Sequence, residues 1–302
     1  MSLCGILNIN KPAGPTSHEV VVRVRRLTGQ RRVGHAGTLD PLATGVILLC
    51  LGQATRVAEY LMQKPKLYRA TIHLGVSTTT YDAEGEITHT APVPPLSSAE
   101  IEKTLTRFVG LIEQTPPLYS ALKYEGKRLY KLAREGVKIE PEPRQVEIEY
   151  IKLLQWSSPY LTLEVRCSPG TYIRSLAQDL GHILGCGAHL AALTRLASGH
   201  FTLEDSVTLE ELSEAFAAGR EREFIYPLEE ALREYEAMRV DRRMERRLRQ
   251  GQKVAGPPPS LEEASILRRA YSEEGNLIAL VRYDHRAKLW QPEKVFNPEQ
   301  CR

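Results

Sequence analysis

Residues 34–45 read Gly-His-Ala-Gly-Thr-Leu-Asp-Pro-Leu-Ala-Thr-Gly. One acid, Asp40, stands at the centre, and three glycines in twelve residues allow close backbone approach and positive φ. Pro41 biases Asp40 towards an extended conformation. Arg23, Arg25, Arg26, Arg31 and Arg32 precede it with no carboxylate among residues 21–36. A single aspartate on such a loop, beside a basic stretch, has the makings of a nucleophile or a base. It could also close an Asx-turn on the following amides, and composition by itself favours that role. A second set runs from Cys167 to Arg174 and places Tyr172 and Arg174 at the opening of a helix just after a strand. An arginine near a reactive aspartate would hold it ionised, because opposite charge favours the charged form. In a third, Lys66-Leu67-Tyr68, a tyrosine enters a strand with a flat face for a base and a polar tip. Taken singly, Tyr68 and Tyr172 read first as core residues and second as base platforms.

Other chemistries fail on inspection. There is no GxxxxGK[ST] phosphate loop. Gly185-Cys186-Gly187 begins a dinucleotide fingerprint, but position 190 is Leu. His18-Glu19 begins a zinc motif, but position 22 is Val. Neither a GxSxG elbow nor the zinc-deaminase signature occurs. The pattern disfavours nucleotide-driven, metal-driven and serine-nucleophile catalysis.

The elements that must carry these residues come next. Gly5–Ile9 alternates as a strand. Thr16 and Glu19 form a capping box for a helix that buries Val20, Val21, Val24 and Leu27 and stops at Gly29. Val46–Leu51 reads as a buried strand, Ala54–Met62 as a helix and Tyr68–Leu74 as a strand. Ser97 with Glu100 opens a helix ending near Gly110, and Thr115-Pro116-Pro117 breaks the chain. Lys127–Glu135 reads as a short basic helix closed by Gly136. Two adjacent antiparallel strands run through Val146–Tyr150 and Leu161–Cys167, joined at Ser157-Ser158-Pro159, and Thr171–Leu184 is a helix. Elements interleaved as hairpin-like neighbours imply an α+β fold with a mixed, mostly antiparallel sheet. A boundary falls between Pro227 and Val240, which puts a larger domain at 1–236. Residues 237–302, with an Arg-rich helix and short strands, form a small β-rich domain able to fold against the larger one.

Composition bounds the setting. The chain has 302 residues, 42% hydrophobic and 25% charged, as in a globular protein. Its longest apolar run, Val46–Leu51, is far short of the roughly 20 residues that cross a bilayer. No secretion signal is visible at the N-terminus. Five cysteines, an odd number without a CxxC pair, argue against a disulfide framework or a zinc ribbon and fit a reducing cytosol. Net charge is only +3, yet basic residues cluster in 21–36, 123–138 and 239–253, a distribution that fits contact with a polyanion. Each cluster taken alone also fits a solvated helix face.

The central motif with Asp40 resembles the signature of the TruB family of tRNA pseudouridine-55 synthases. The resemblance extends to Asn8-Ile9-Asn10-Lys11-Pro12 with Thr16-Ser17, to Lys66–Ala70, to Gln114–Lys123 with Gly126 and Leu129-Tyr130, to Gly170–Leu176 and to Gly185–Leu196, in the family's order. It implies the pseudouridine synthase fold, a mobile RNA-gripping insertion at about 113–147, and a C-terminal RNA-binding domain of PUA type. It implies isomerisation of a uridine in the T arm of tRNA by base flipping, in the cytoplasm. No cofactor, metal, membrane or obligatory protein partner is implied, and the chain is expected to be a monomer. Asp40 would be the catalytic aspartate, acting on sugar or base or removing a sugar proton. Arg174 would pair with it and help fill the space left by the extruded base. Tyr68 would stack on the uracil, Tyr172 would line the pocket, Leu193 would pack on base or ribose, and His35 would keep the flipped state open. Thr194 departs from the family, where many members carry a basic residue, and its loss would remove one phosphate contact. Two other readings are a non-catalytic RNA-binding protein, for which a lone carboxylate has no use, and a partner-guided rRNA synthase, whose Lys-rich extensions this chain lacks.

Overall fold

The computed structural model of the chain describes residues 3–120, 122–124, 126–135, 137, 139, 141–259 and 266–301. Strands β1 (Gly5–Lys11), β2 (Val33–His35), β3 (Thr44–Leu51) and β4 (Lys66–Leu74) come first, with helices α1 (Ser17–Thr28) and α2 (Ala58–Met62) between them. A hairpin of β5 (Val76–Thr78) and β6 (Ile87–Thr90) leads to α3 (Ser98–Leu105) and β7 (Gly110–Gln114). The short pair β8 (Lys123–Tyr124) and β9 (Lys127–Arg128) precedes α4 (Leu129–Arg134) and the long β10 (Arg144–Ser157). Then come β11 (Tyr160–Cys167), α5 (Ile173–Ile183), β12 (Ala188–Ser198), β13 (Phe201–Thr202), α6 (Leu209–Ala217) and β14 (Ile225–Tyr226). The remainder holds β15 (Glu236–Arg239), α7 (Arg242–Arg249), β16 (Leu267–Tyr271), β17 (Leu277–Asp284) and β18 (Leu289–Val295).

Ten strands make one sheet in the order β14-β1-β3-β12-β4-β11-β10-β7, with β2 on β3 and β13 on β12. Its pairs are antiparallel except β3 with β12, which run parallel through Thr44↔Thr194 and Gly45↔Arg195. The fold is α+β with a mixed, mostly antiparallel sheet, and β15–β18 form a second, four-stranded sheet. The unbroken apolar run of β3 has a simple cause: both faces of the strand are covered. Ile47, Leu49 and Leu51 face one core, with α1 and α5. Val46, Leu48 and Cys50 face a second core, shared with Leu267, Leu277 and Leu280 of the C-terminal sheet and with Phe296 just after it.

Locally coded features stand as the residues imply. Thr16 and Glu19 form the capping box of α1, and Gly29 ends it at φ 65. Leu27 packs on the core but is only partly buried. Elsewhere the structure differs. The helix expected over Ala54–Met62 is divided into a 3-10 turn, Gly52–Arg56, and α2; the Thr55 hydroxyl donates to the Gly52 carbonyl at 2.8 Å and tightens that turn. The basic helix expected from Lys127 begins at Leu129, because Lys127–Arg128 pair with Lys123–Tyr124. Its expected stop, Gly136, lies outside the described residues, as do Glu125 and Lys138 of the same basic stretch. Cys50, Cys167 and Cys186 are free and buried, but Cys4 is disulfide-bonded, a bridge that cysteine spacing gives no sign of. No helix among the described residues is long and apolar enough to cross a membrane.

Candidate active site

His35, Asp40, Tyr68, Tyr172, Arg174 and Leu193 come from five separate elements and loops, and all six line one cavity of about 630 Å³. The Asp40 loop hangs between β2 and β3. Ala36 N–H donates to the Leu48 carbonyl at 2.8 Å at its start. The Ser17 hydroxyl, on the first residue of α1, donates to the Leu39 carbonyl and accepts from the Leu39 amide, each at 2.8 Å. Gly14 N–H donates to the Pro41 carbonyl at 2.9 Å. The turn after Asp40 is closed by backbone alone, Ala43 N–H donating to the Asp40 carbonyl at 3.1 Å, so the carboxylate is not spent on an Asx-turn. It pairs with Arg174, Nε to Oδ2, at 3.0 Å.

Arg174 is the second residue of α5, only 5% exposed, and every arm of its guanidinium is engaged. Nη1 lies 3.4 Å from Asp82 Oδ2 and donates to the Thr80 carbonyl at 3.3 Å. Nη2 donates to the Tyr119 carbonyl at 3.1 Å. Asp82, 3% exposed, accepts from the Thr80 hydroxyl and from the Glu84 amide. Tyr81 between them adopts φ 62, a strained left-handed conformation that turns the Thr80 carbonyl and the Asp82 carboxylate to the same guanidinium.

Three buried cations, Lys11, Arg195 and Lys66, complete the frame. Lys11, fully buried, donates to the carbonyls of Pro12 at 2.8 Å and Pro41 at 3.2 Å, and burial pushes its ammonium down to about 8. Arg195, 2% exposed, donates to the carbonyls of Val46 at 2.6 Å and of Thr38 and Gly37 at 3.3 Å each, and stands opposite Tyr68 in the β12–β4 register. Lys66 caps the carbonyls at the end of α2, and burial lowers it to about 8. Asp40 and Tyr68 keep part of their surface open to the cavity while protein encloses them. That enclosure raises the Asp40 carboxyl above 3.8, with Asp82 adding to the rise and Arg174 and Lys11 opposing it. Burial likewise raises the Tyr68 and Tyr172 phenols.

A reading of residue types and spacing alone assigns no role to Asp82, Lys11, Lys66 or Arg195. The signal available for Arg195 is a lone charge inside a strand, and for Asp82 a Thr-Tyr-Asp-Ala-Glu-Gly turn. The Thr194 hydroxyl sits 2.9 Å from that of Thr44 across the β3–β12 pair. Among the described residues no group of three His, Cys, Asp or Glu side chains converges to hold a metal. What the arrangement offers is one carboxylate held by a fork of cations, beside aromatic and aliphatic walls fit for a planar ring.

Two family descriptions match the chain: TruB family pseudouridylate synthase (N terminal domain) over residues 25–173, and tRNA pseudouridylate synthase B C-terminal domain over residues 174–233. The chain is 45% identical over 292 residues to a tRNA pseudouridine synthase B of Dehalococcoides mccartyi (strain CBDB1), covering 97% of this chain and 96% of that one. It is 42% identical over 296 residues to that of Xanthomonas oryzae pv. oryzae (strain MAFF 311018), covering 98% and 94%. Among solved structures, a Cbf5-Nop10-Gar1 complex contains a chain that superposes with TM-score 0.74 at 27% identity, covering 97% of this chain and 85% of that one. An H/ACA RNP bound to a substrate RNA containing 2′-deoxyuridine gives TM-score 0.73 at 26% identity with the same coverage.

Proposed function

The chain belongs to the TruB family of pseudouridylate synthases, and on that premise we propose that it isomerises uridine 55 in the T arm of tRNA to pseudouridine. The observation that carries this reading is the Asp40–Arg174 ion pair on the wall of a cavity lined by Tyr68, Tyr172 and Leu193. The reaction breaks N1–C1′ and forms C5–C1′. The proton lost from C5 is matched by one gained at N1, so no electrons are exchanged and nothing is hydrolysed. The chain's task is to hold the ribose, keep the detached base in the cavity while it turns, and move protons. The place of Asp40 fits attack at the sugar, attack at the base, or removal of a sugar proton. Extruding the uridine costs a few kcal/mol, and a stacking platform such as Tyr68 returns about 1–3 kcal/mol. His35 is the residue suited to hold the emptied loop apart. Relatives over nearly the whole length are named for tRNA, which favours tRNA over a guided RNA.

The C-terminal sheet would supply phosphate contacts through α7, where Arg243, Arg246 and Arg247 are exposed with no carboxylate paired to them among the described residues. The test uses an unmodified tRNA transcript. Pseudouridine mapped at position 55, with release of the C5 hydrogen, is expected from the wild-type protein and not from Asp40→Ala. Binding without hydrogen release would instead mark a non-catalytic RNA-binding protein, and modification only elsewhere would overturn the position. In the same assay affinity should fall with salt by about 0.7–0.9 log unit per decade for each neutralised phosphate, and Arg→Gln changes at 243, 246 and 247 should flatten that slope.

A further inference from the structure

Gln114 ends β7, and its register partner Arg144 begins β10, so the two residues are the feet of the excursion 115–143. The Gln114 side chain is not idle packing. It is 2% exposed, and its amide meets the backbone of Tyr172 face to face: Nε2 donates to the Tyr172 carbonyl at 2.9 Å, and Tyr172 N–H donates to Oε1 at 2.7 Å. This is the pattern by which two strand residues exchange hydrogen bonds, supplied here by one side chain. Tyr172 is the N-cap of α5 and has no side-chain cap of its own. Two further bonds join the same segments. The Ser175 hydroxyl donates to the Thr115 carbonyl at 2.7 Å, and Arg174 Nη2 donates to the Tyr119 carbonyl at 3.1 Å. The first turn of α5, which aims Arg174 at Asp40, is therefore fastened to the foot of the excursion, and Gln114 supplies two of the bonds.

We propose that Gln114 is a positioning residue for the isomerisation: its amide fixes the Tyr172 backbone and thereby the aim of Arg174 at Asp40. The proposal rests on the reading of Asp40 and Arg174 as the reacting pair. Without the tie, the N-terminal turn of α5 is free to rock, and a displacement of about 1 Å at a reacting pair costs on the order of 10²-fold in rate.

Gln114→Glu separates positioning from mere structural support. The glutamate has the same shape and still accepts from Tyr172 N–H. Ionised, it cannot donate to the Tyr172 carbonyl; protonated, its O–H restores that bond. Burial against a carbonyl raises its titration above the ordinary glutamate value. Arg144 faces Gln114 across the strand pair, and Arg174, Asp40 and Arg144 act on the Tyr172 phenol beside it. Asp40 titrates in wild type and variant alike, so single-turnover rates are compared as a ratio at each pH. The ratio should be down about 10–100-fold near pH 8 and recover to within about threefold near pH 6, with tRNA affinity unchanged. A folded Gln114→Glu protein whose ratio is flat with pH, high or low, overturns the proposal. If that variant does not fold, Gln114→Met, which fills the space with no bond to Tyr172, should bind tRNA normally and lose about 10-fold or more in rate; a normal rate overturns the proposal. An inactive wild-type protein would overturn the reading of the site itself, a separate result.

Discussion

On the proposed reading Asp40 acts as an ionised carboxylate, and its surroundings pull its titration in both directions. Enclosure raises its titration above 3.8, Asp82 raises it further, and Arg174 and Lys11 oppose the rise. A raised acid has a definite consequence for folding. The unfolded chain releases the proton first, so stability falls as pH rises from the unfolded value to the folded one, and the cost vanishes below both. Asp40→Asn should lower turnover by more than about 10²-fold while leaving Tm at neutral pH equal to or above that of wild type. The difference should close in acid. A lower Tm at neutral pH would show that the carboxylate stabilises the fold. The acid limb of the rate profile gives a second check. Arg174→Met removes a lowering charge and should move the limb to higher pH. Asp82→Asn removes a raising charge and should move it to lower pH, so shifts in one common direction would contradict the charge assignment. At this scale the sequence was half legible. Asp40 and Arg174 stand out by residue type and neighbours. Asp82, Lys11, Lys66 and Arg195 are ordinary charges until the fold removes their water, and nothing local marks that event.

Elements divide in the same way between local and long-range causes. The capping boxes of α1, α3 and α6 are written within four residues, and each forms as written. β12 is the contrary case. Ala188 to Ser198 mixes helix and strand formers, and two bulges break its alternation, so its place at the centre of the sheet depends on partners far away in sequence. Its parallel contact with β3 also carries the site, because Arg195 there holds the Asp40 loop through the Gly37 and Thr38 carbonyls. That contact depends on Gly45, which sits opposite Arg195 at φ 97; a Cβ there would run into the Arg195 carbonyl oxygen. Gly45→Ala should therefore cost about 2–4 kcal/mol and most of the activity. Gly29→Ala is the control: its φ is 65, but no atom lies within 4 Å of the new Cβ, so it should cost only about 1–2 kcal/mol and leave the rate unchanged. Urea midpoints of the two variants decide the matter. Equal losses would mean that Gly45 is required for its backbone angle alone and not for the approach to Arg195.

For the molecule as a whole, residues 237–302 read as a small module able to fold against a larger one, and in the structure the two parts share a core. Leu267, Leu277, Leu280 and Phe296 of the C-terminal part share one core with Ile6, Val46, Leu48 and Cys50 on the back of the large sheet. Polar ties ring this core. Gln53 donates to the Asn297 carbonyl at 2.6 Å and accepts from its amide at 2.9 Å, and the Tyr60 hydroxyl donates to Glu293 at 2.7 Å. These ties fall on the 3-10 turn and α2, whose far end holds Lys66 and places Met62 on the cavity wall. Polar interfaces between independent domains allow relative motion, whereas a shared apolar core couples the two parts. Here, truncation would strip water-excluding cover from both faces of the joint. The expectation is a single cooperative unfolding transition for the whole chain, with no separate early melt of the C-terminal part. Phe296, 2% exposed in the middle of the shared core, is the place to test it. Phe296→Ala should cost about 3–5 kcal/mol and lower that one transition as a unit, so that far-ultraviolet signal and tRNA-modifying activity are lost at the same temperature. Two resolved transitions, with only the smaller one moved by Phe296→Ala, would instead show a C-terminal module that folds by itself and merely rests on the large sheet.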